Sequence, residues 1–95
     1  MMEIQREEHG KRGAFFIDEN GEWVAEMTYV KSGDAEITVD HTEVDKKLKG
    51  ENIGEDLVAS AVAYAREKGL KIKSTCSFAS KVLEENADYK DVFSA

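Results

Sequence analysis

The sequence predicts an α+β domain: an antiparallel four-strand meander, then a strand–helix–strand crossover, then a C-terminal helix. Three observations predict it. Up to residue 41 the apolar residues come in short runs with period-two alternation, the spacing of half-buried strands. Asn20-Gly21 sits between two of those runs, the strongest short hairpin signal. From residue 53 the period changes to that of a helix, with Ile53, Leu57, Val58, Ala61, Val62 and Ala65 on one stripe.

Taken in order, Met2–Glu8 is the first expected strand, with Met2 and Ile4 apolar, and residues 10–13 turn the chain. Ala14-Phe15-Phe16-Ile17 is strongly β-prone. Trp23–Val30 forms the third strand, with Trp23, Ala25, Met27 and Tyr29 on one face; Phe15, Phe16, Trp23 and Tyr29 read as core. After a turn at 31–34, Ala35, Ile37, Val39 and His41 share one face of the fourth strand. Glu55 and Asp56 favour the start of the helix and Lys68-Gly69 its end. Leu70–Ser74 is the fifth strand, which the intervening helix makes parallel to the fourth. A second helix opens at Cys76, capped by Ser74 or Thr75, with Phe78, Ala79, Val82 and Leu83 facing inward. The tail 88–93 docks by its aromatics. Tyr64 reads as packing and His9 as a solvated turn residue.

Ninety-five residues make one domain, spanning 1–95, with a modest core, so a large ligand has to lie in a surface groove. Twenty acidic against 13 basic residues give a net charge of -7. That argues against nucleic-acid binding, which needs a basic face, and suits a cationic amine. One cysteine excludes an internal disulfide, and with two histidines no zinc-type cluster forms. No leader and no membrane-spanning run is evident, so a cytoplasmic protein is expected. An edge strand permits a weak dimer, although Glu3 and Glu7 oppose pairing, so monomer and weak dimer both stand.

The stretch between the alternating and helical patterns is where chemistry is expected. Lys49-Gly50-Glu51-Asn52-Ile53-Gly54 has glycine or asparagine at alternate positions. A loop of that kind, running from strand to helix, aims successive backbone N–H groups at one spot. The helix N-terminus adds roughly half a positive charge there, which suits phosphate. An ordinary strand-to-helix turn has the same composition, so the loop alone leaves both readings open.

The order of elements together with this loop resembles the GNAT superfamily of N-acetyltransferases, in particular its short YjdJ-type branch. The superfamily's acyl-CoA loop reads Arg/Gln-x-x-Gly-x-Gly/Ala. Lys49 stands at the arginine or glutamine position, and Asn52 replaces the middle glycine, which asparagine does best because it tolerates positive φ. The resemblance runs from about Ile4 to Phe93 and implies a minimal acyl-CoA N-acyltransferase fold. It lacks the helix pair that follows the first strand in full-size members, and their last strands. It implies acetyl-CoA, or coenzyme A, as co-substrate, held by Thr42, Glu43, Val44, Lys49, Gly50, Glu51, Asn52, Ile53, Gly54 and Glu55. The diphosphate would sit on the loop amides. The pantetheine arm would lie along Thr42–Val44, where strands four and five splay. The acceptor is an unidentified amine, small or on a protein.

Two residues are candidates for the chemistry. Cys76 opens the second helix at the mouth of the same cleft, where a helix N-terminus favours a thiolate. The superfamily's pattern there is Asn-x-x-Ala with a tyrosine two turns on; this chain has Cys76-Ser77-Phe78-Ala79, with Leu83 near the tyrosine's place. The thiol is then either the acid for the departing thiolate or a transient acyl carrier, unless Cys76 is simply a small buried hydrophobe. His41 is the second candidate, as base for the incoming ammonium, against a structural role; Glu43, through a water, is the substitute. The reading from another class is a non-catalytic acyl-CoA sensor or protein-interaction module.

Overall fold

The computed structural model describes residues 3–48 and 50–94; Met2 and Lys49, both used above, lie outside the described residues. Five strands form one sheet in the order β1-β2-β3-β4-β5. They are β1 (Gln5–His9), β2 (Arg12–Glu19), β3 (Glu22–Gly33), β4 (Glu36–Val44) and β5 (Lys71–Ser74). The first four make the expected antiparallel meander, and β5 joins β4 in parallel. β1 lies further along the chain than the alternation placed it, because Gln5–His9 is the segment that registers with Phe16–Arg12.

Helix α1 (Ile53–Lys68) ends at Gly69, whose left-handed φ of 70° lets its N–H donate to Ala65 O. Helix α2 is Ser77–Glu85. Both pack on one face of the sheet, and the predicted stripe of α1 is buried throughout. Met27 and Tyr29 of β3, Ile37 and Val39 of β4, Ile72 of β5, Leu57 of α1 and Leu83 of α2 meet in one core. Fully burying a residue such as Leu57 contributes about 1.5–3 kcal/mol.

The tail turns through a 3-10 segment, Ala87–Tyr89, and then runs beside β5. Ile72 N–H donates to Val92 O (2.7 Å) and Ser94 N–H to Ile72 O (2.8 Å), so the outer edge of β5 is covered. The aromatics Tyr89 and Phe93 pack partly buried against the core, as the sequence predicts, while Val92 supplies the buried anchor.

Two departures from simple alternation matter for the site. Both are register shifts, each of which moves side chains to the other face. One falls between Ile17 and Asp18, where Ile17 faces Ala25 and Asp18 faces Trp23. Trp23 therefore leaves the Ala25–Tyr29 face and is 36% exposed, rather than core. It stacks on Phe16 with ring centroids 4.0 Å apart. Phe16 is buried, but on the face away from the helices. The other shift falls between Thr28 and Tyr29: Tyr29 faces Val39, and Thr28 faces His41. Asp40 is thus the extra residue on β4. The Thr28 hydroxyl donates to its carboxylate (2.5 Å), as does the Arg12 guanidinium (2.9 Å), which fixes the bulge. Burial pushes the Asp40 carboxyl up, but those two donors outweigh it and hold its pKa below the usual value.

Candidate active site

The bulge decides which side chains of β4 enter the cleft. Ile37 and Val39 face the helices, as predicted. Beyond Asp40 the alternation is offset by one residue, so Thr42 and Val44 continue the helix-side face, opposite Met27 and Ala25. His41 faces Thr28 on the other side of the sheet, exposed and outside the cleft. Its expected place at the end of the Ala35–Ile37–Val39 series is corrected accordingly. Ala35 also leaves that series, as an exposed turn residue.

The parallel pairing of β4 with β5 ends at Val39 and Ser74. Thr75 N–H still reaches Val39 O (2.9 Å). Past that point β4 runs on to Val44 while the chain after β5 turns into α2, so the strands part. The β4 edge from Asp40 to Val44 has no strand beside it on that side among the described residues. An edge of this kind offers alternate N–H and C=O groups to an extended ligand.

At the far end of the gap, a 3-10 turn (Lys46–Leu48) anchors on buried Leu48 and leads into the loop. Gly50 has φ 91°, and Asn52, the N-cap of α1, has φ 59° and ψ 28°. Asparagine thus takes the left-handed conformation that the sequence required of it. Asn52 makes no side-chain cap, and Asp56 N–H donates to Asn52 O (3.0 Å). The amides of Ile53, Gly54 and Glu55 precede that bond and have no acceptor within the helix. One expected member of the amide row is turned away: Glu51 N–H points to Leu48 O (3.4 Å).

These parts enclose a cleft of about 490 Å³. Of the ten residues expected to hold the co-substrate, Thr42, Glu43, Val44, Gly50, Asn52, Ile53, Gly54 and Glu55 line it, and Glu51 does not. Leu48 and Phe78 line it as well. Phe78 was expected to face the core with Ala79, Val82 and Leu83. It lies instead in the overhanging first turn of α2, 38% exposed. Its ring covers Gly54 so closely that a Cβ there would stand 2.6 Å from Phe78 Cζ. Gly54→Ala gains about 1 kcal/mol of helix propensity, yet must swing the ring off the helix and into the cleft. The expected result is an unchanged or raised Tm with at least about tenfold weaker coenzyme A binding, the equivalent of 1.4 kcal/mol, read by calorimetry.

Cys76 is the N-cap of α2, in extended conformation (φ -89°, ψ 120°). Its side chain is half-buried, and its Sγ lies 3.4 Å from Thr42 Oγ1 across the gap. The cap expected from Ser74 or Thr75 takes another form. Cys76 N–H donates to Ser74 Oγ (3.2 Å), Ser80 Oγ donates to the same oxygen (2.9 Å), and Ser80 N–H closes the first turn on Cys76 O (2.9 Å). Ser74 thus fixes the backbone that carries the thiol.

Among the described residues no cluster of histidine, cysteine and carboxylate could hold a metal, and no helix is long and apolar enough to cross a membrane. An antiparallel meander, a β-α-β unit whose parallel strands part, and a helix N-terminus facing that gap make up the fold that presents this cleft. The family profile of the GCN5-related N-acetyl-transferases matches residues 14–92, and the chain belongs to that family. It is 34% identical over 83 residues to Protein NATD1 of Danio rerio, covering 85% of this chain and 76% of that protein. A GCN5-like protein of Staphylococcus aureus, classed as an N-acetyltransferase and solved by NMR, is 37% identical. It superposes with a TM-score of 0.77 over 99% of this chain and 89% of its own. A ribosomal-protein-alanine N-acetyltransferase from Brucella melitensis biovar Abortus 2308 shares the fold at 20% identity, with a TM-score of 0.65 over 81% of this chain and 62% of that one.

Proposed function

We propose that this N-acetyltransferase moves an acetyl group from acetyl-CoA to an amine, with the thiol of Cys76 taking part. One observation carries the reading: the parted strands place Cys76 Sγ beside Thr42, in the gap next to the cleft bounded by the uncapped helix N-terminus. The diphosphate rests on the first-turn amides of α1, where the helix dipole favours an anion. The pantetheine arm lies along the β4 edge at Thr42–Val44 and brings the thioester toward Cys76. Lys49 adds a cation at the loop.

In the direct route the amine gives up a proton to water and attacks the thioester carbon. The C–N bond forms, the C–S bond breaks, and Cys76 S–H protonates the departing thiolate. In the covalent route the Cys76 thiolate displaces coenzyme A, and the amine then displaces Cys76. A thiol exchanging for a thiol is nearly energy-neutral, so both routes are chemically open. His41, facing away from the cleft, has no step in either route. Intact mass after incubation with acetyl-CoA separates them: an acetyl adduct on Cys76 supports the covalent route.

Binding without turnover is the second reading. It is favoured by Cys76 being half-buried against the core with its thiol directed at Thr42. Calorimetry and thermal shift with coenzyme A and acetyl-CoA test what the two readings share. At a hundredfold excess over Kd, binding stabilises by about 2.7 kcal/mol, a readily measured rise in Tm. No shift removes both readings. A shift without release of free thiol in the presence of amines leaves the second alone.

A further inference from the structure

Cys76 occupies the N-cap of α2 without capping it. A side chain at that position ordinarily folds back on the first-turn amides. Those of Ser77, Phe78 and Ala79 precede the first helical bond and have no acceptor within the helix. Sγ instead faces Thr42 Oγ1 across the gap, 3.4 Å away. Two positions are open to the sulfur, one over its own helix and one across the gap. Only the second directs it at the β4 edge, beside which the thioester is proposed to lie.

Two serines that do not line the donor cleft hold the residue in place. Ser74 ends β5, Ser80 belongs to α2, and both are half-buried. Cys76 N–H donates to Ser74 Oγ (3.2 Å), and the Ser74 hydroxyl donates back to Cys76 O (3.0 Å). The Ser80 hydroxyl donates to Ser74 Oγ (2.9 Å), and Ser80 N–H to Cys76 O (2.9 Å). Each hydroxyl hydrogen is used once and Ser74 Oγ accepts twice, which fills its hydrogen-bonding capacity. One residue earlier, Thr75 N–H is tied to Val39 O (2.9 Å), at the point where β4 and β5 part. Both polar groups of the Cys76 backbone are therefore pinned, and with them the direction of its Cα–Cβ bond. Only χ1 remains free.

We propose that Ser74, backed by Ser80, is a positioning residue for acetyl transfer. It secures the start of α2 so that the thiol, relieved of capping, faces Thr42. The inference rests on the thiol's part in the reaction and deepens it. Ser74 acts through Cys76 alone. Without its hydroxyl, Cys76 N–H has no acceptor, Ser80 loses its nearer one, and Cys76 O keeps only Ser80 N–H. The sulfur then divides its time between the gap and the first-turn amides.

NMR of the whole chain reads this directly through the Hα–Hβ couplings of Cys76, which are averaged when two staggered rotamers exchange. The wild type is expected to show one rotamer and Ser74→Ala an average. Rate is read as free thiol released from saturating acetyl-CoA with n-butylamine as acceptor. Ser74→Ala should lower kcat at least about tenfold, since a misplacement on the order of 1 Å is enough for that. Its KM for acetyl-CoA should stay within about twofold, as for an interaction that acts on the transition state. Ser74→Thr keeps the hydroxyl and should restore both readouts. Ser80→Ala separates positioning from stability. Alanine is the better helix former, so Tm should hold or rise while kcat falls about threefold with the lost hydrogen bond. Unchanged couplings in Ser74→Ala, or a loss that Ser74→Thr does not restore, overturns the proposal. The thiol's own part is read separately in Cys76→Ala. If that variant loses rate and Ser74→Ala does not, the positioning role falls and the thiol's role stands. If Cys76→Ala keeps its rate, the thiol's role falls, whatever Ser74 does to the couplings.

Discussion

Cys76→Ala is expected to lower turnover of acetyl-CoA with an amine by about 100-fold or more, the range over which a positioned proton donor acts. Coenzyme A affinity should stay within about twofold, because the thiol is not among the groups lining the donor cleft. The side chain is half-buried, and loss of one sulfur leaves a cavity at the edge of the core that costs about 1 kcal/mol. Tm therefore falls by about 5 °C whichever role the thiol has. Turnover distinguishes chemistry from packing: a merely structural cysteine would leave kcat alone. Thr42→Val refines the test. It removes the oxygen 3.4 Å from Sγ while keeping the volume, and because Thr42 also lines the donor cleft, the loss of rate is read as kcat at saturating acetyl-CoA. Unchanged turnover in Cys76→Ala ends the catalytic assignment.

Much of this site could be read before the fold was seen, because its cues are local. Asparagine or glycine at 50, 52 and 54, a strand before and a helix after, specify a backbone path that neighbours need not impose. Asn52 takes its left-handed φ there, and eight of the ten expected cleft residues line the cavity. What escaped the sequence was non-local. Strict alternation from Val39 brings His41 inward, and only the shift that leaves Asp40 as an extra residue between Val39 and His41 turns it out. No glycine marks that bulge; its anchors are Thr28 and Arg12 on other strands, so no window on β4 betrays it. Trp23 was misplaced for the same reason, by the shift at Ile17 and Asp18. Phe78 obeys the helical period but sits in a turn that overhangs the cleft, where an inward direction meets Gly54 rather than core. An alternation argument finds faces; it cannot find where a face changes sides.

The largest expected loss of stability lies at the opposite end of the sheet, at a glycine that looks permissive. Gly13 on β2 is directly opposite Tyr29 on β3, and the Tyr29 ring lies flat across it. A Cβ on Gly13 would stand 2.7 Å from Tyr29 Cε2 and meet Cζ and the hydroxyl at still closer range. The ring has nowhere to go. Tyr29 is fully buried, beside Phe15 (centroids 5.4 Å apart) and Tyr64 (6.3 Å). Its hydroxyl donates to Glu8 (2.7 Å) and accepts from Arg6 (2.9 Å), and Arg6 in turn lies 4.2 Å above the Tyr64 ring. Burial first, and then donation to Glu8, push the phenol's pKa well up, so it stays a neutral donor across the working range. Moving the ring breaks both bonds and the two tilted aromatic contacts together. Alanine in a strand gains about 0.5–1 kcal/mol over glycine, whereas overpacking costs about 1–3 kcal/mol and here also removes the phenol from Glu8 and Arg6, which keep their ion pair with each other. Gly13→Ala is therefore expected to lose about 2 kcal/mol net, a fall in Tm of roughly 10 °C for a domain of this size. The cause can be separated from a general intolerance of the strand by a double-mutant cycle. In a Tyr29→Leu background the obstruction is gone, so adding Gly13→Ala should cost nothing or stabilise, a coupling of about 2 kcal/mol. Equal cost in both backgrounds would place the strain somewhere other than the tyrosine ring.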